Sequence, residues 1–264
     1  MSHEKAEIAK LSSLVNLVNE SYRSACQLRA EVLQKMLGDS ALAEEVVSAY
    51  TALLRSVELE RKGKFIVVSG IDKSGKETQV LRGGGCVKPL SEYLRELGYE
   101  VLTIIQPSYD TRIGKLVKAY LEMKNTSIEN AWVLWSLDRA QHIASVNEWL
   151  SKENRIVLAK RWTESNVIYH AAKGVNYTDI LEFERNVPKQ DVTFIIDITA
   201  ETSIKRNERP DAYESLDFLK KVRELYLKMK EIYPYGDRVY VEGESDPCTV
   251  NRTLLAVVGE YLKR

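Results

Sequence analysis

The residues best suited to chemistry lie in one short glycine-rich stretch, Lys64–Gln79, which reads K-F-I-V-V-S-G-I-D-K-S-G-K-E-T-Q. An apolar run comes first, followed by two glycines, a lysine and residues that can begin a helix. This order predicts a buried strand, a tight turn and a helix N-terminus. Together these elements aim backbone N–H groups and the positive end of a helix dipole at one point. The stretch therefore predicts polyphosphate binding.

This stretch matches the phosphate-loop pattern G-x-x-x-x-G-K-[S/T] at every fixed position except the last. Gly70 permits the turn, Gly75 lets the backbone approach phosphate oxygens, and Lys76 supplies a point charge to the β- and γ-phosphates. Glu77 stands where the pattern has the Mg²⁺-binding hydroxyl. An ordinary strand–turn–helix with a chance Gly-Lys is the alternative, but the position of the loop after the first strand favours a ligand site. The predicted phosphate-binding residues are Gly70, Asp72, Lys73, Ser74, Gly75, Lys76, Glu77 and Thr78.

Composition and charge are typical of an ordinary globular protein. Lys+Arg and Asp+Glu are balanced at 38 each, so no net field favours general binding to nucleic acid or membranes. No run approaches the roughly 20 apolar residues of a membrane span, and the N-terminus is not typical of a signal peptide. Cys26, Cys86 and Cys248 are far apart in the sequence and lack metal-type spacing. They predict reduced thiols in a cytoplasmic protein, not a disulfide framework.

Strands and helices alternate from Lys64 onward. Apolar runs predict five strands at 65–69, 99–106, 155–159, 192–198 and 238–241. Helical patterns between them include a helix over 128–150 and a largely helical segment over 166–187. This alternation predicts an α/β fold of the P-loop NTPase type, a five-stranded parallel sheet with helices on both faces. Gly83–Gly85 would cost about 1 kcal/mol per glycine inside a helix, so we expect a break there.

The first 62 residues carry two helical stripes instead of this alternation. Apolar side chains recur at helical spacing over 3–36 and again over 42–57, on either side of a turn at Gly38–Ser40. We expect an N-terminal helical hairpin extension over 1–62 and a P-loop domain over 63–264. Two helices cannot bury both stripes alone, so the extension should pack on the main domain or on a partner chain.

Four motifs in order resemble the thymidylate kinase family. The glycine-rich loop is similar to the family's phosphate loop, and L-W-S-L-D-R-A-Q-H at Leu134–His142 looks like its dTMP-side helix. K-R-W-T-E-S-N-V-I-Y-H at Lys160–His170 is similar to its Asp-Arg-Tyr segment, and Asp191–Arg206 to its fourth strand and following helix. The resemblance covers roughly residues 63–263. It implies transfer of a phosphoryl group from ATP to dTMP in dTTP biosynthesis, with ATP and Mg²⁺ as cofactors and a homodimer as the usual assembly.

The resemblance also implies a dTMP site. Asp72 would meet the 3′-hydroxyl, and Trp135 would stack on thymine. Arg139, on the same helix face as Trp135, would hydrogen-bond the base. Arg161 would clamp the dTMP phosphate as a bidentate donor. The thymine pocket would be completed by Ser165, Asn166, Tyr169 and His170, the last in place of a more usual glutamine.

The catalytic charges implied by the resemblance are those of Lys76, Lys73 and Arg161. Lys73 occupies the loop position where some members of the family carry a catalytic arginine. A lid is expected between Arg206 and Glu214, where Arg209 stands without an arginine cluster.

Three positions that the resemblance ties to the metal are changed. Glu77 replaces the serine or threonine, Lys160 replaces the aspartate of Asp-Arg-Tyr, and Gln106 stands where a glutamate is usual. A carboxylate about 5 Å from a phosphate charge repels it by about 3 kcal/mol at an effective dielectric near 20. Either a metal bound directly by Glu77 or pairing of Glu77 with Lys160 must offset that repulsion. The strands that precede them should be neighbours, so we expect the two side chains to face each other.

These changes leave three functional hypotheses open. The first is a working thymidylate kinase-like enzyme. The second is a catalytically impaired nucleotide-binding or regulatory homologue, since the metal-site positions changed together while the thymine-site positions did not. The third is a kinase for another nucleoside monophosphate, because His170 and Trp162 alter the pocket.

Overall fold

The structure is a computed structural model that describes residues 2–57, 59–123, 127–207 and 215–263. Within these ranges the strands form a single five-stranded sheet in the order β2-β3-β1-β4-β5. The strands are β1 (Lys64–Ser69), β2 (Glu100–Ile105), β3 (Arg155–Lys160), β4 (Val192–Asp197) and β5 (Asp237–Glu242). Each neighbouring pair is parallel, which confirms the predicted α/β fold.

Helices cover both faces of the sheet. Successive side chains of β1 point to opposite faces, and both sets are apolar, so each face must be buried. Phe65 and Val67 belong to one apolar core, and Ile66 and Val68 to the other. No helix among the described residues is long and apolar enough to cross a bilayer. The helices are α1 (Ser2–Arg23), α2 (Ala30–Leu37), α3 (Ser40–Leu54), α4 (Leu90–Glu96), α5 (Arg112–Glu122), α6 (Trp132–Ala140), α7 (Ile143–Leu150), α8 (Thr163–Ala172), α9 (Tyr177–Phe183), α10 (Ala200–Lys205), α11 (Leu216–Leu227), α12 (Met229–Ile232) and α13 (Pro247–Leu262).

The N-terminal segment contains three helices, where the sequence predicted a hairpin of two. The first stripe is interrupted after α1, where Ala25 takes a left-handed φ of 51°, and α2 begins only at Ala30. α1 and α3 pack against α5 and α6. Leu14 and Val46 thereby join the same core as Phe65. The expected packing on the main domain is therefore present, and the boundary at residue 62 stays a prediction.

Local breaks divide two of the predicted helical segments. The segment expected to be one helix over 128–150 contains α6 and α7, and the segment expected to be largely helical over 166–187 contains most of α8 and all of α9. Gly174, with a φ of 89°, ends the turn after α8, and the Asn176 side chain caps α9 by accepting from the Thr178 N–H. The expected break at Gly83–Gly85 is confirmed, since all three glycines have positive φ after a π-helical turn at Thr78–Arg82.

The cysteines correct the sequence prediction of three reduced thiols. Cys86 and Cys248 form a disulfide with Cα atoms 5.5 Å apart, across a sequence separation of 162 residues. Cys86 follows the glycine break, and Cys248 lies in the first turn of α13. The prediction was wrong because separation along the chain says nothing about where the sheet brings these two segments. Cys26 is the free, exposed cysteine.

Thiol titration tests this link. The native chain should expose one reactive thiol, that of Cys26, and three after reduction in denaturant. Reduction should lower the free energy of unfolding by about 2–5 kcal/mol, since the bond closes a long loop. Cys26→Ser, the matched control, should leave the melting temperature unchanged. Three reactive thiols before reduction would contradict the pairing.

Candidate active site

The phosphate loop leaves the carboxyl end of β1, which lies between β3 and β4 in the middle of the sheet. Ligands of open α/β sheets bind at this edge. Gly70 has a φ of 134°, and a Cβ atom there would lie 2.4 Å from the backbone oxygen of Ile196. Only glycine fits so close an approach. Gly75 has a φ of 89°, which is likewise left-handed.

Lys76 bends back over its own loop. Its Nζ donates to the backbone oxygen of Ile71 at 2.5 Å and to Oγ of Ser74 at 3.0 Å. Burial lowers the pKa of Lys76 well below its usual range, and the nearby Arg161 charge lowers it further. An anion bound beside the ammonium would oppose both the burial and the Arg161 charge, and would raise the pKa of Lys76 again.

A cavity of about 150 Å³ brings together all eight residues predicted for the dTMP site. α6 supplies two of them, α8 supplies four, and the other two follow β1 and β3. The cavity is lined by Asp72, Trp135, Arg139, Arg161, Ser165, Asn166, Tyr169 and His170, together with Gln106, Pro107, Tyr109, Leu121 and Lys160. Their roles toward a nucleotide stay predictions. Tyr109 and Leu121 had no sequence signal.

Arg161 joins the phosphate loop to this cavity. Its Nη2 donates to Oδ1 of Asp72 at 2.5 Å, and its Nη1 donates to Oγ of Ser165 at 2.8 Å. Burial would raise the pKa of Asp72, but Arg161 and Lys76 outweigh it and hold this pKa below its usual value. Lys73 and Arg161 have left-handed φ values of 57° and 64°, which cost non-glycine residues energy and cluster at functional sites.

α10 supports the phosphate loop from the other side. Ser203 donates its hydroxyl to the backbone oxygen of Asp72 at 2.7 Å, and Arg206 donates to that of Lys73 at 3.4 Å. No pattern in the sequence indicates these contacts. Arg209 and the rest of the expected lid, apart from Arg206 and Asn207, lie outside the described residues.

Arg139 forms a buried ion pair with Glu184, a partner that the sequence analysis missed. Nε and Nη2 of Arg139 donate to the two carboxylate oxygens at 2.9 and 2.6 Å, and the two side chains are 1% and 0% exposed. Glu184 also accepts from Ser136, Thr163 and Asn166 at 2.6, 2.7 and 2.8 Å. The guanidinium is thus fixed in the cavity wall. The predicted contact with a base would be made by Nη1, the nitrogen that does not contact Glu184.

His170 is a neutral imidazole in the same wall. Its Nδ1 lies 3.0 Å from the backbone oxygen of Asn166. A carbonyl can only accept, so Nδ1 donates and Nε2 is the acceptor nitrogen. Burial lowers the pKa of His170 to about 3. The ring of Trp135 lies edge-on between those of His170 and Tyr120, with centroids 5.0 and 5.5 Å away.

Glu77 and Lys160 face each other, as the sequence predicted. β1 and β3 are neighbours with Val68 opposite Lys160, and Oε2 of Glu77 lies 3.1 Å from Nζ of Lys160. Oε1 of Glu77 pairs with Arg82. Of the two ways to offset the Glu77 charge, the structure therefore has the ion pair.

The donor set around this pair does not fit a protein-held Mg²⁺. Mg²⁺ needs oxygen ligands that are open to it, whereas both oxygens of Glu77 are occupied by cations and Lys160 brings a positive charge. Among the described residues, no group of three His, Cys, Asp or Glu side chains could hold a metal ion.

A family model and similar curated proteins agree on one family. A family model for thymidylate kinase matches residues 68–243. The chain is 34% identical over 211 residues to a thymidylate kinase of Thermoanaerobacter sp. (strain X514), covering 76% of this chain and 100% of the relative. It is 29% identical over 183 residues to a probable thymidylate kinase of Pyrococcus horikoshii, covering 66% and 85%.

The fold is also similar to that of a solved thymidylate kinase from Candida albicans. The TM-score is 0.58 at 23% identity, covering 77% of this chain and 92% of the other. At this identity the likeness concerns the fold alone.

The Arg139–Glu184 pair gives a stability prediction. Glu184→Gln should lower the free energy of unfolding by about 3–5 kcal/mol, because it leaves the buried guanidinium uncompensated. Glu182→Gln, an exposed glutamate two residues earlier at the end of α9, should change it by less than about 0.5 kcal/mol. Urea unfolding of both variants measures the difference. Equal effects would show that the buried pair is not formed.

His170 gives a pH prediction. Its imidazole takes up a proton near pH 6.5 in the unfolded chain but only near 3 when folded. The contribution of His170 to the free energy of unfolding is therefore complete above pH 6.5 and decreases as the pH falls below it. Wild type should lose about 2 kcal/mol more than His170→Gln between pH 8 and 5. Identical pH slopes in chemical unfolding would contradict the buried neutral ring, as would an NMR titration of His170 near pH 6.5.

Proposed function

Because the chain belongs to the thymidylate kinase family, we propose that it transfers the γ-phosphoryl group of ATP to dTMP, a step in dTTP biosynthesis. The observation that carries the proposal is the junction between the phosphate loop and the acceptor cavity. Asp72 belongs to both, and its side chain is paired with that of Arg161, which lines the cavity. A donor phosphate in the loop and an acceptor phosphate on Arg161 would thus be neighbours.

The proposed reaction is an in-line displacement. An oxygen of the dTMP phosphate attacks the γ-phosphorus, a new P–O bond forms, and the bond to the β–γ bridging oxygen breaks with its electron pair leaving on ADP. Such a transition state needs mainly positioning and positive charge. Lys76, Lys73 and Arg161 supply that charge, and Lys76 exchanges its bonds to Ile71 and Ser74 for phosphate oxygens.

The thymine pocket is proposed to read the base with two neutral rings and one guanidinium nitrogen. Trp135 offers its ring to the base, and the acceptor Nε2 of His170 suits the N3–H donor of thymine. Arg139 contributes the nitrogen not engaged by Glu184. Tyr169, which donates to Oδ2 of Asp72 at 2.8 Å, holds the carboxylate that would meet the 3′-hydroxyl.

ATP is the proposed phosphoryl donor, and any Mg²⁺ would arrive on its phosphates because the residues around Glu77 do not fit a protein-held ion. A cytoplasmic location follows from the nucleotide substrates and stays a prediction. The Cys86–Cys248 disulfide argues against a cytoplasmic location unless the source is a hyperthermophile, since cytosolic disulfides are rare in other organisms. A homodimer also stays a prediction.

The second candidate is a nucleotide-binding homologue without catalysis. The changes at Glu77, Lys160 and Gln106 favour it, because they alter the metal positions, whereas the residues predicted to bind dTMP still line the cavity. A kinase for another nucleoside monophosphate is the third. Turnover separates the three.

An ADP-release assay with dTMP, dUMP and dGMP tests the proposal. Turnover should be highest with dTMP. Arg161→Met should lower kcat/KM by about 100-fold or more, since it removes the bidentate phosphate donor. Arg23→Met, at the exposed end of α1, is the matched control and should leave it unchanged. Binding of dTMP without turnover would favour the second candidate, and a preference for dUMP or dGMP would favour the third.

A further inference from the structure

Lys160 stands where the phosphate loop and the acceptor cavity meet. It lines the cavity, its Nζ lies 3.1 Å from Glu77, and its side chain is 15% exposed. We propose that Lys160 binds the polyphosphate of the donor nucleotide in place of a protein-held divalent cation, so that the chain binds ATP without divalent metal. This inference rests on the proposed function, in that it takes ATP to be the ligand of the loop.

Charge balance at three positions supports the proposal. The residues that the family resemblance implies there are a hydroxyl, an aspartate and a glutamate, with two negative charges that a divalent cation would neutralise. Here the positions hold Glu77, Lys160 and Gln106, whose charges cancel. With Lys160, the three side chains of this chain have a summed charge of zero. The three residues implied by the resemblance reach zero only when a divalent cation is bound to them.

The geometry gathers cations around the phosphate loop. Lys160 is followed directly by Arg161, and both are close enough to Lys76 that their repulsion adds to burial in lowering its pKa. The neighbouring carboxylates are Asp72, paired with Arg161, and Glu77, paired with Lys160. Among the described residues, the hydrogen-bond partners of Lys76 are both neutral oxygens. A polyphosphate supplies the missing negative charge.

Glu77 acts in this scheme as a positioning residue. One of its oxygens holds Nζ of Lys160, while the other is held by Arg82. The ammonium is therefore kept beside the first turn after Lys76 when no ligand is bound, and less side-chain entropy is lost on binding.

Gln106 keeps Lys160 available to an anion. Its backbone N–H donates to the backbone oxygen of Lys160 at 3.0 Å, so the two residues are adjacent across β2 and β3. Its side chain is buried and neutral, and its amide nitrogen contacts Ser108 and the backbone of Asp138 at 3.2 and 3.5 Å. Its Oε1 has no hydrogen-bond partner among the described residues. A carboxylate here would compete with a phosphate for the ammonium.

Calorimetric titration with ATP tests the proposal on the full chain, once in EDTA and once in Mg²⁺ at equal ionic strength. Wild type should bind ATP in both, with dissociation constants within about threefold of each other. ATP binding only in Mg²⁺ would overturn this inference and leave the proposed function standing. No ATP binding in either buffer would overturn both.

Substitutions make the test specific to the residue. Lys160→Met should weaken ATP binding in EDTA by about tenfold or more, the loss expected for one charge-assisted hydrogen bond. Lys263→Met, exposed at the end of α13, is the matched control and should change nothing. Glu77→Ser with Lys160→Asp should make binding at least about tenfold tighter in Mg²⁺ than in EDTA. Equal weakening by Lys160→Met and Lys263→Met, or a double variant indifferent to Mg²⁺, would contradict the role of Lys160.

Discussion

The buried ion pair of Arg139 and Glu184 is the constraint on which the acceptor cavity depends. Removing two charges from water costs several kcal/mol per ion unless hydrogen bonds satisfy them. Here the carboxylate is saturated by Arg139, Ser136, Thr163 and Asn166, which lie on α6 and at the start of α8. If one of these donors moved away, the buried carboxylate of Glu184 would lose a hydrogen bond that water could not replace. The cavity wall is therefore rigid before any nucleotide arrives.

The parts of this structure that could be predicted from the sequence are those encoded within single elements. The apolar run before Gly70 indicated β1, and the glycines that followed indicated a turn whose backbone must approach β4. The eight acceptor-site residues lie together because each belongs to a motif whose place in the fold follows from its order along the chain. Glu77 and Lys160 could be paired in advance because parallel strands bring their carboxyl ends to one edge.

The rest depends on contacts between distant segments, which no local pattern encodes. Glu184 sits in a polar stretch after α9, and only the packing of α6 against α8 and α9 makes it the partner of Arg139. Tyr226 is similar: its hydroxyl reaches Ser69 at 2.8 Å from a helix 157 residues away. The pairing of Cys86 with Cys248 depends on how α13 returns along the sheet. Composition and spacing are silent on such partners.

The disulfide divides the chain topologically. The covalent loop from Cys86 to Cys248 encloses β2, β3, β4 and β5, whereas β1 and the phosphate loop lie on the open segment before it. A motor that pulled this protein from its N-terminus would extract α1 to α3, the central strand and the phosphate loop before it reached Cys86. It would then meet a closed ring of chain that cannot be drawn out as a single strand. The phosphate loop can thereby be extracted before the bond is reached, whereas extraction of β2 to β5 as a single strand requires the bond to be reduced.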